Sequence, residues 1–244
     1  MTELDLLRGC DYVINEHIKI RQPTLDEIYR YGEKKYFWLV NTLTISPADI
    51  KSMLYDLNID WEEISDFEVF ILLCKSLSLE DTSIIFGDRI DFSKLVVCEN
   101  TNTNEPVLVE VDSNNNIKYD GILIDSHIYM LFTEYLRKMH GFKKNNERAG
   151  NEETKKILIE LEREDLKLAQ SKEFKSVLKP LIIPMVNCQE FKYNYTSVWE
   201  LPISLFLDSV KQVQKIKEVG YLMQGIYAGN IDQSKINKKD LQWI

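Results

Sequence analysis

Cysteine is scarce and scattered in this chain: Cys10, Cys74, Cys98 and Cys188 are the four among 244 residues. No two stand close together, so neither a disulfide framework nor a metal-ligand spacing is present, and all four read as reduced core thiols of a cytoplasmic protein. Histidine is scarcer still. His127 and His140 stand thirteen residues apart near opposite ends of one expected helix, which keeps them from sharing a metal, and His17 lies far from both in sequence. Long apolar runs are missing, as is the basic start and apolar stretch of a signal peptide, so secretion and membrane spanning are not expected. Positive charge is short: 30 Lys and Arg against 39 Asp and Glu give a net charge of -9, which disfavours a nucleic-acid partner, whose affinity comes largely from clustered cations. Walker-type glycine loops, Gly-x-Ser-x-Gly elbows and His-Glu-x-x-His are absent. With so many carboxylates, chance alone places pairs together, so they carry no glycosidase signal. The chain therefore reads as non-catalytic, with no cofactor and no metal.

What is present is apolar residues at helical spacing, at 44% hydrophobic content, which is enough to bury a sizeable core. After a strand-like stretch over Tyr12 to Arg21, Thr24 with Glu27 forms a capping box that starts a helix ending near Gly32. Glu33 to Leu43, rich in aromatics, predicts a helix buried on more than one side. Ser46 and Pro47 start another, with Ile50, Met53, Leu54 and Leu57 inward. Ser65 with Glu68 repeats the capping box ahead of Phe67, Phe70, Ile71 and Cys74. Between Thr82 and Asp125, short Val- and Ile-rich runs favour strands at Leu95 to Glu99, Val107 to Val111 and Ile117 to Tyr119. Asp112 to Asn116 reads as a hairpin loop rather than a calcium loop, because the sixth-position glycine and later glutamate of an EF-hand are missing.

Helix then returns. Ser126 caps a segment with Ile128, Leu131, Phe132, Tyr135 and Met139 on one face, stopped at Gly141. Lys143 to Gly150 is an exposed loop. Asn151 to Ser171 is charge-dense with a narrow stripe of Ile157, Leu161 and Leu168, either a tethered surface helix or a partner-facing one. Pro180 and Pro184 predict a kinked or broken helix over Phe174 to Cys188. Ser197 to Val219 is the longest amphipathic element. The fold class is α+β, mainly α-helical with a small antiparallel sheet in the middle of the chain. It divides into a helical unit at 1–80, a β-rich region at 81–125 and a helical region at 126–244, or folds as one compact domain.

Several stretches carry a resemblance: Pro23-Thr24-Leu25-Asp26-Glu27 through Phe37, Arg137 to Phe142, Ala149-Gly150-Asn151, Phe206 to Ile216, Gln224 to Asp232, and Leu241-Gln242-Trp243-Ile244. Together they resemble, over the whole chain, a family encoded in the tail-gene modules of phages and prophages of Gram-positive bacteria, often labelled tail assembly chaperones. The resemblance implies work in the host bacterial cytoplasm, binding the tape-measure protein, the tail tube protein or both; the apolar C-terminal tail leaves a second copy of the chain, as a homo-oligomer, as an alternative partner. It brings no catalytic residues. The alternatives are a structural virion protein, such as a tail completion or baseplate component, and an enzyme without recognisable motif. The candidate partner-binding residues are Leu222, Met223, Ile226, Tyr227, Leu241, Trp243 and Ile244, whose other reading is a terminus docked on the protein's own core.

Overall fold

The computed structural model describes residues 3–101, 103–237 and 241, and over them the chain is mostly helical with two small antiparallel sheets. Helix α1 (Glu3–Leu7) leads into a hairpin of β1 (Tyr12–Val13) and β2 (Lys19–Ile20). The single strand expected over Tyr12 to Arg21 is thus corrected: the Asn15 side chain accepts the amide protons of His17 and Ile18 at 2.9 and 2.7 Å and turns the chain back. The Thr24 capping box opens α2 (Leu25–Tyr31), which stops at Gly32. Helix α3 (Glu33–Thr44) buries Tyr36, Leu39, Val40 and Leu43 but leaves Trp38 exposed. Pro47 starts a short 3-10 turn before α4 (Lys51–Asp56), and of the expected stripe Leu54 is buried whereas Leu57 is exposed. Helix α5 (Asp66–Cys74) carries its expected capping box.

The β-rich region begins later than the sequence suggests. Ser78 and Asp81 form a further capping box that starts α6 (Leu79–Phe86), so Thr82 lies in a helix. The sheet that follows is β3 (Val96–Glu99), β4 (Pro106–Val109) and β5 (Leu123–Ile124), antiparallel in that order. Ile117 to Tyr119 is not its third strand: Ile117 makes one isolated bridge to Val111, and Tyr119 is exposed. The apolar residues that the sheet can bury, Ile122 and Ile124, come next. The Asp112 to Asn116 hairpin loop is present, with the Asp112 carboxylate accepting from the amides of Asn114 and Asn116.

Asp125 rather than Ser126 caps α7 (Ser126–His140), accepting the Ile128 amide proton at 2.8 Å, and Gly141 ends the helix in the left-handed region at φ 67°. Helix α8 (Glu152–Gln170) follows the loop. Pro180 opens α9 (Lys179–Val186) instead of breaking it, since a first-turn proline lacks only an amide that would have no helical partner, while Pro184 lies inside. A 3-10 turn at Ser197–Glu200 precedes α10 (Ile203–Tyr227), which begins later than expected and runs on through Gly220.

One hydrophobic cluster extends from Leu6 to Val213 and draws on all three regions of the chain. Its centre is aromatic: Phe70 meets Tyr129, Phe92 and Phe132 at centroid distances of 4.8, 5.4 and 5.6 Å. Such offset and edge-on pairs add to the gain from area burial. The four cysteines are free, but only Cys74 is in the core; Cys10, Cys98 and Cys188 are half-buried, which corrects the expectation for those three. Buried Gln22 ties the N-terminal segment to the start of α10. Its amide donates to the carbonyls of Leu6 and Cys10 at 3.1 and 3.0 Å, and its oxygen accepts from Ser204.

Candidate functional site

The C-terminal third is fastened at its start by backbone bonds from Leu25 to the Leu201 carbonyl and from Ile203 to the Pro23 carbonyl. Glu33 holds α9 by accepting the amide protons of Val177 and Leu178, both at 2.7 Å. From this anchor α10 carries the predicted residues away from the main cluster. Leu222, Met223 and Ile226 are half-buried and share one helical face by their spacing. Tyr227, at the helix end, is 80% exposed and Tyr221 69%. Gly229 turns the chain at φ 74°, and the amides of Asn230 and Ile231 return to the Gly225 carbonyl. Ile231 then lies over Gly225, where a Cβ would come within 2.5 Å of its Cδ1. Leu241 is half-buried, while Trp243 and Ile244 lie outside the described residues.

Helix α8 presents a second apolar face. Its docking side is not the stripe the sequence suggests: Ile159 is its one buried residue among those described, and Ile157, Leu161 and Leu168 are 55%, 51% and 55% exposed. The helix is held on α4 and the residues before α5 chiefly by polar groups. Lys155 pairs with Asp60 at 2.5 Å and Glu62 at 3.2 Å, and Glu162 accepts the Ser52 amide proton at 3.0 Å. Burial raises the Glu162 carboxyl above its ordinary range, with the Ser52 amide opposing.

A cleft of about 770 Å³ opens between the first turns of α7, the start of α5 and the loop at 144–148. Trp61, Phe67, Tyr129 and Met130 form much of its apolar lining. Most lining charges already have partners: Asp66 pairs with Lys144 at 2.6 Å and faces Arg137 at 3.8 Å, and Glu147 pairs with Lys51 at 2.8 Å. Two polar atoms do not. Trp61 Nε1 and Tyr129 Oη are buried without a hydrogen-bond partner, a state that costs about 1–3 kcal/mol per group. Neither Trp61 nor Tyr129 belongs to any motif or stripe read from the sequence.

The reactive side chains are otherwise engaged. His140 is enclosed: its Nδ1 donates to the Leu136 carbonyl at 2.8 Å, which leaves Nε2 to accept the Tyr36 hydroxyl proton at 2.7 Å. Burial pushes its pKa down to about 4. Burial likewise pushes the Cys74 thiol up to about 11, and its proton goes to the Ile71 carbonyl at 3.4 Å. Cys188 donates to Glu190 at 2.6 Å. Among the described residues, the group that could gather around a metal ion is Glu16, His17 and Asp120. It sits on the surface with both carboxylates in water, 3.7 and 3.4 Å from the His17 Nε2, the geometry of an ordinary surface contact.

No helix among the described residues is long and apolar enough to cross a membrane. No curated protein and no solved structure matches the chain. Residues 175–244, which hold α9, α10 and the C-terminal segment, match the family model described as YomV second domain, so this part of the chain is similar to a phage-type family.

Proposed function

We propose that the chain is a non-catalytic binding protein of phage tail assembly, a chaperone that holds the tape-measure protein, the tail tube protein or both before the tube polymerises. The observation that carries this reading is the pair of apolar faces left in water, on α8 and at the end of α10, the second of them inside the segment similar to a phage-type family. A folded protein gains by covering such side chains, at about 25 cal/mol per Å² of apolar surface removed from water. Tyrosines suit this role because one ring supplies apolar area and a polar tip together. A tape-measure chain that is long and helical offers the complementary surface, an amphipathic stripe laid along a helix face. The engagement of His140, Cys74 and Cys188 by neighbouring groups supports the non-catalytic part of the reading.

Co-expression of the full chain with the tape-measure and tube proteins tests the proposal. The expected result is a stoichiometric complex with one or both, and loss of the chain from purified virions. Retention in virions at fixed copy number overturns the chaperone role in favour of a structural component, and absence of any complex overturns the tail role altogether.

A further inference from the structure

A hydrophobic groove of about 280 Å³ is lined by α2, the start of α9 and the 3-10 turn at Ser197–Glu200, and it shares no residue with the exposed faces of α8 and the end of α10. Its floor follows from helical spacing: Leu25 and Ile28 fall on one face of α2, Leu178 and Ile182 one turn apart at the start of α9, and all four are buried. Glu33 holds the two walls together by accepting the amide protons of Val177 and Leu178. The rim stays open. Tyr29, Tyr195 and Ile183 are 71%, 63% and 41% exposed, and the Tyr29 ring meets Trp199 at a centroid distance of 6.0 Å.

Size, rim and charge narrow the occupant. The volume of about 280 Å³ falls just below the roughly 300–1,000 Å³ of sites that enclose a whole small molecule, so the groove takes one or two bulky apolar side chains. The exposed rings around it are covered only by something larger than the cavity, which favours a peptide whose anchor side chain enters while its neighbours lie across Tyr29 and Tyr195. Charge is set by Lys179, the cation of the lining, whose ammonium has no ion pair among the described residues. Lys34 and Lys175, next in sequence to the lining residues Glu33 and Ser176, are exposed and likewise have none. Glu33, the carboxylate of the lining, is turned to the two amides at the start of α9. In a chain of net charge -9 this leaves a local excess of positive charge at an apolar opening. We infer that the groove binds a short acidic peptide segment of a partner protein, with a leucine or phenylalanine side chain over Leu25 and Ile182 and a flanking carboxylate paired to Lys179 Nζ.

Fluorescence anisotropy of the labelled peptide Glu-Glu-Leu-Phe-Glu-Glu, titrated with the full chain, tests this. Saturable binding is expected, with Gln-Gln-Leu-Phe-Gln-Gln binding more weakly and added salt removing the difference. Lys179→Glu is expected to weaken the acidic probe by about tenfold and to strengthen binding of Lys-Lys-Leu-Phe-Lys-Lys, while melting within a few degrees of the wild type. Lys156→Glu, the same reversal on α8, is expected to leave the acidic probe unchanged, which separates a local pairing from an effect of net charge. Tyr195→Ser is expected to weaken the acidic and glutamine probes alike. No saturation with the acidic probe, equal affinity for the glutamine probe, or a Lys179→Glu variant that binds as the wild type does overturns the assignment. So does 3-phenylpropionate binding as tightly as the peptide, which makes the groove a small-molecule site.

Discussion

Helices α7 and α8 are both amphipathic on paper, yet α7 buries seven of its fifteen residues and α8 one of its nineteen. The difference lies in their neighbours. Helix α7 is packed by α3, α5 and α10 and completes the aromatic centre through Tyr129 and Phe132. Helix α8 packs on α4, over a small separate cluster of Ala48, Leu54, Trp61 and Val69, and holds on through Lys155 and Glu162. Periodicity therefore reports that a helix has an apolar face, and only the surroundings decide whether the protein itself covers that face.

If this contrast is right, substitutions in the two helices differ sharply in cost. Phe132→Ala is expected to lower stability by about 3–5 kcal/mol in urea unfolding, the usual effect of emptying a packed aromatic site, and Leu161→Ala by less than about 0.5. A loss below about 1 kcal/mol for Phe132→Ala would mean that the aromatic centre is not packed as described.

The buried end of α7 also makes a pH prediction. The folded His140 pKa of about 4 lies below its ordinary value of 6.5, so its contribution is full above pH 6.5 and is lost as pH falls toward 4, where the unfolded chain takes up the proton first. The interval corresponds to about 3 kcal/mol at one pKa unit per 1.36 kcal/mol. Melting of wild type and His140→Gln across pH 4 to 7 checks this: the wild type should lose stability more steeply with acid, and parallel curves would refute the enclosed neutral imidazole. A smaller effect is expected in α8. Lys155→Ala should cost about 1 kcal/mol and speed amide exchange through residues 152–170 while leaving α7 protected. Uniform loss of protection in both helices would show that α8 belongs to the main cooperative unit.

The sequence made the capping boxes at Thr24 and Ser65, the Gly141 stop and the Asp112 to Asn116 loop legible, because each is a local arrangement of a few residues. It hid what depends on distant contacts. The Ser78 box was masked by Ile84 and Ile85, whose β-branched side chains read as strand until a helix is placed around them. The long C-terminal helix, expected over Ser197 to Val219, runs on through Gly220 to Tyr227, and the turns before that glycine are held by the core contacts of Val210 and Val213. On α8 the pattern drew attention to Ile157, Leu161 and Leu168, although the side that docks is the one with Lys155, Ile159 and Glu162. Of the proposed partner-facing residues, Leu222, Met223, Ile226 and Tyr227 do share the end of one helix, whereas Trp61 and Tyr129, the two with unmet hydrogen-bonding capacity, carry no mark in the sequence at all.

The central claim is that the exposed faces of α8 and α10 are there to meet a partner. Its most direct test is the full chain carrying Ile157→Ser, Leu161→Ser, Tyr221→Ser and Tyr227→Ser, measured for both thermal melting and co-purification with the tape-measure and tube proteins. The account predicts a melting temperature within a few degrees of the wild type, since surface substitutions usually stay within about 0.5 kcal/mol each, together with loss of the partner. A variant that captures the partner as the wild type does, or that unfolds far below it, would contradict the claim.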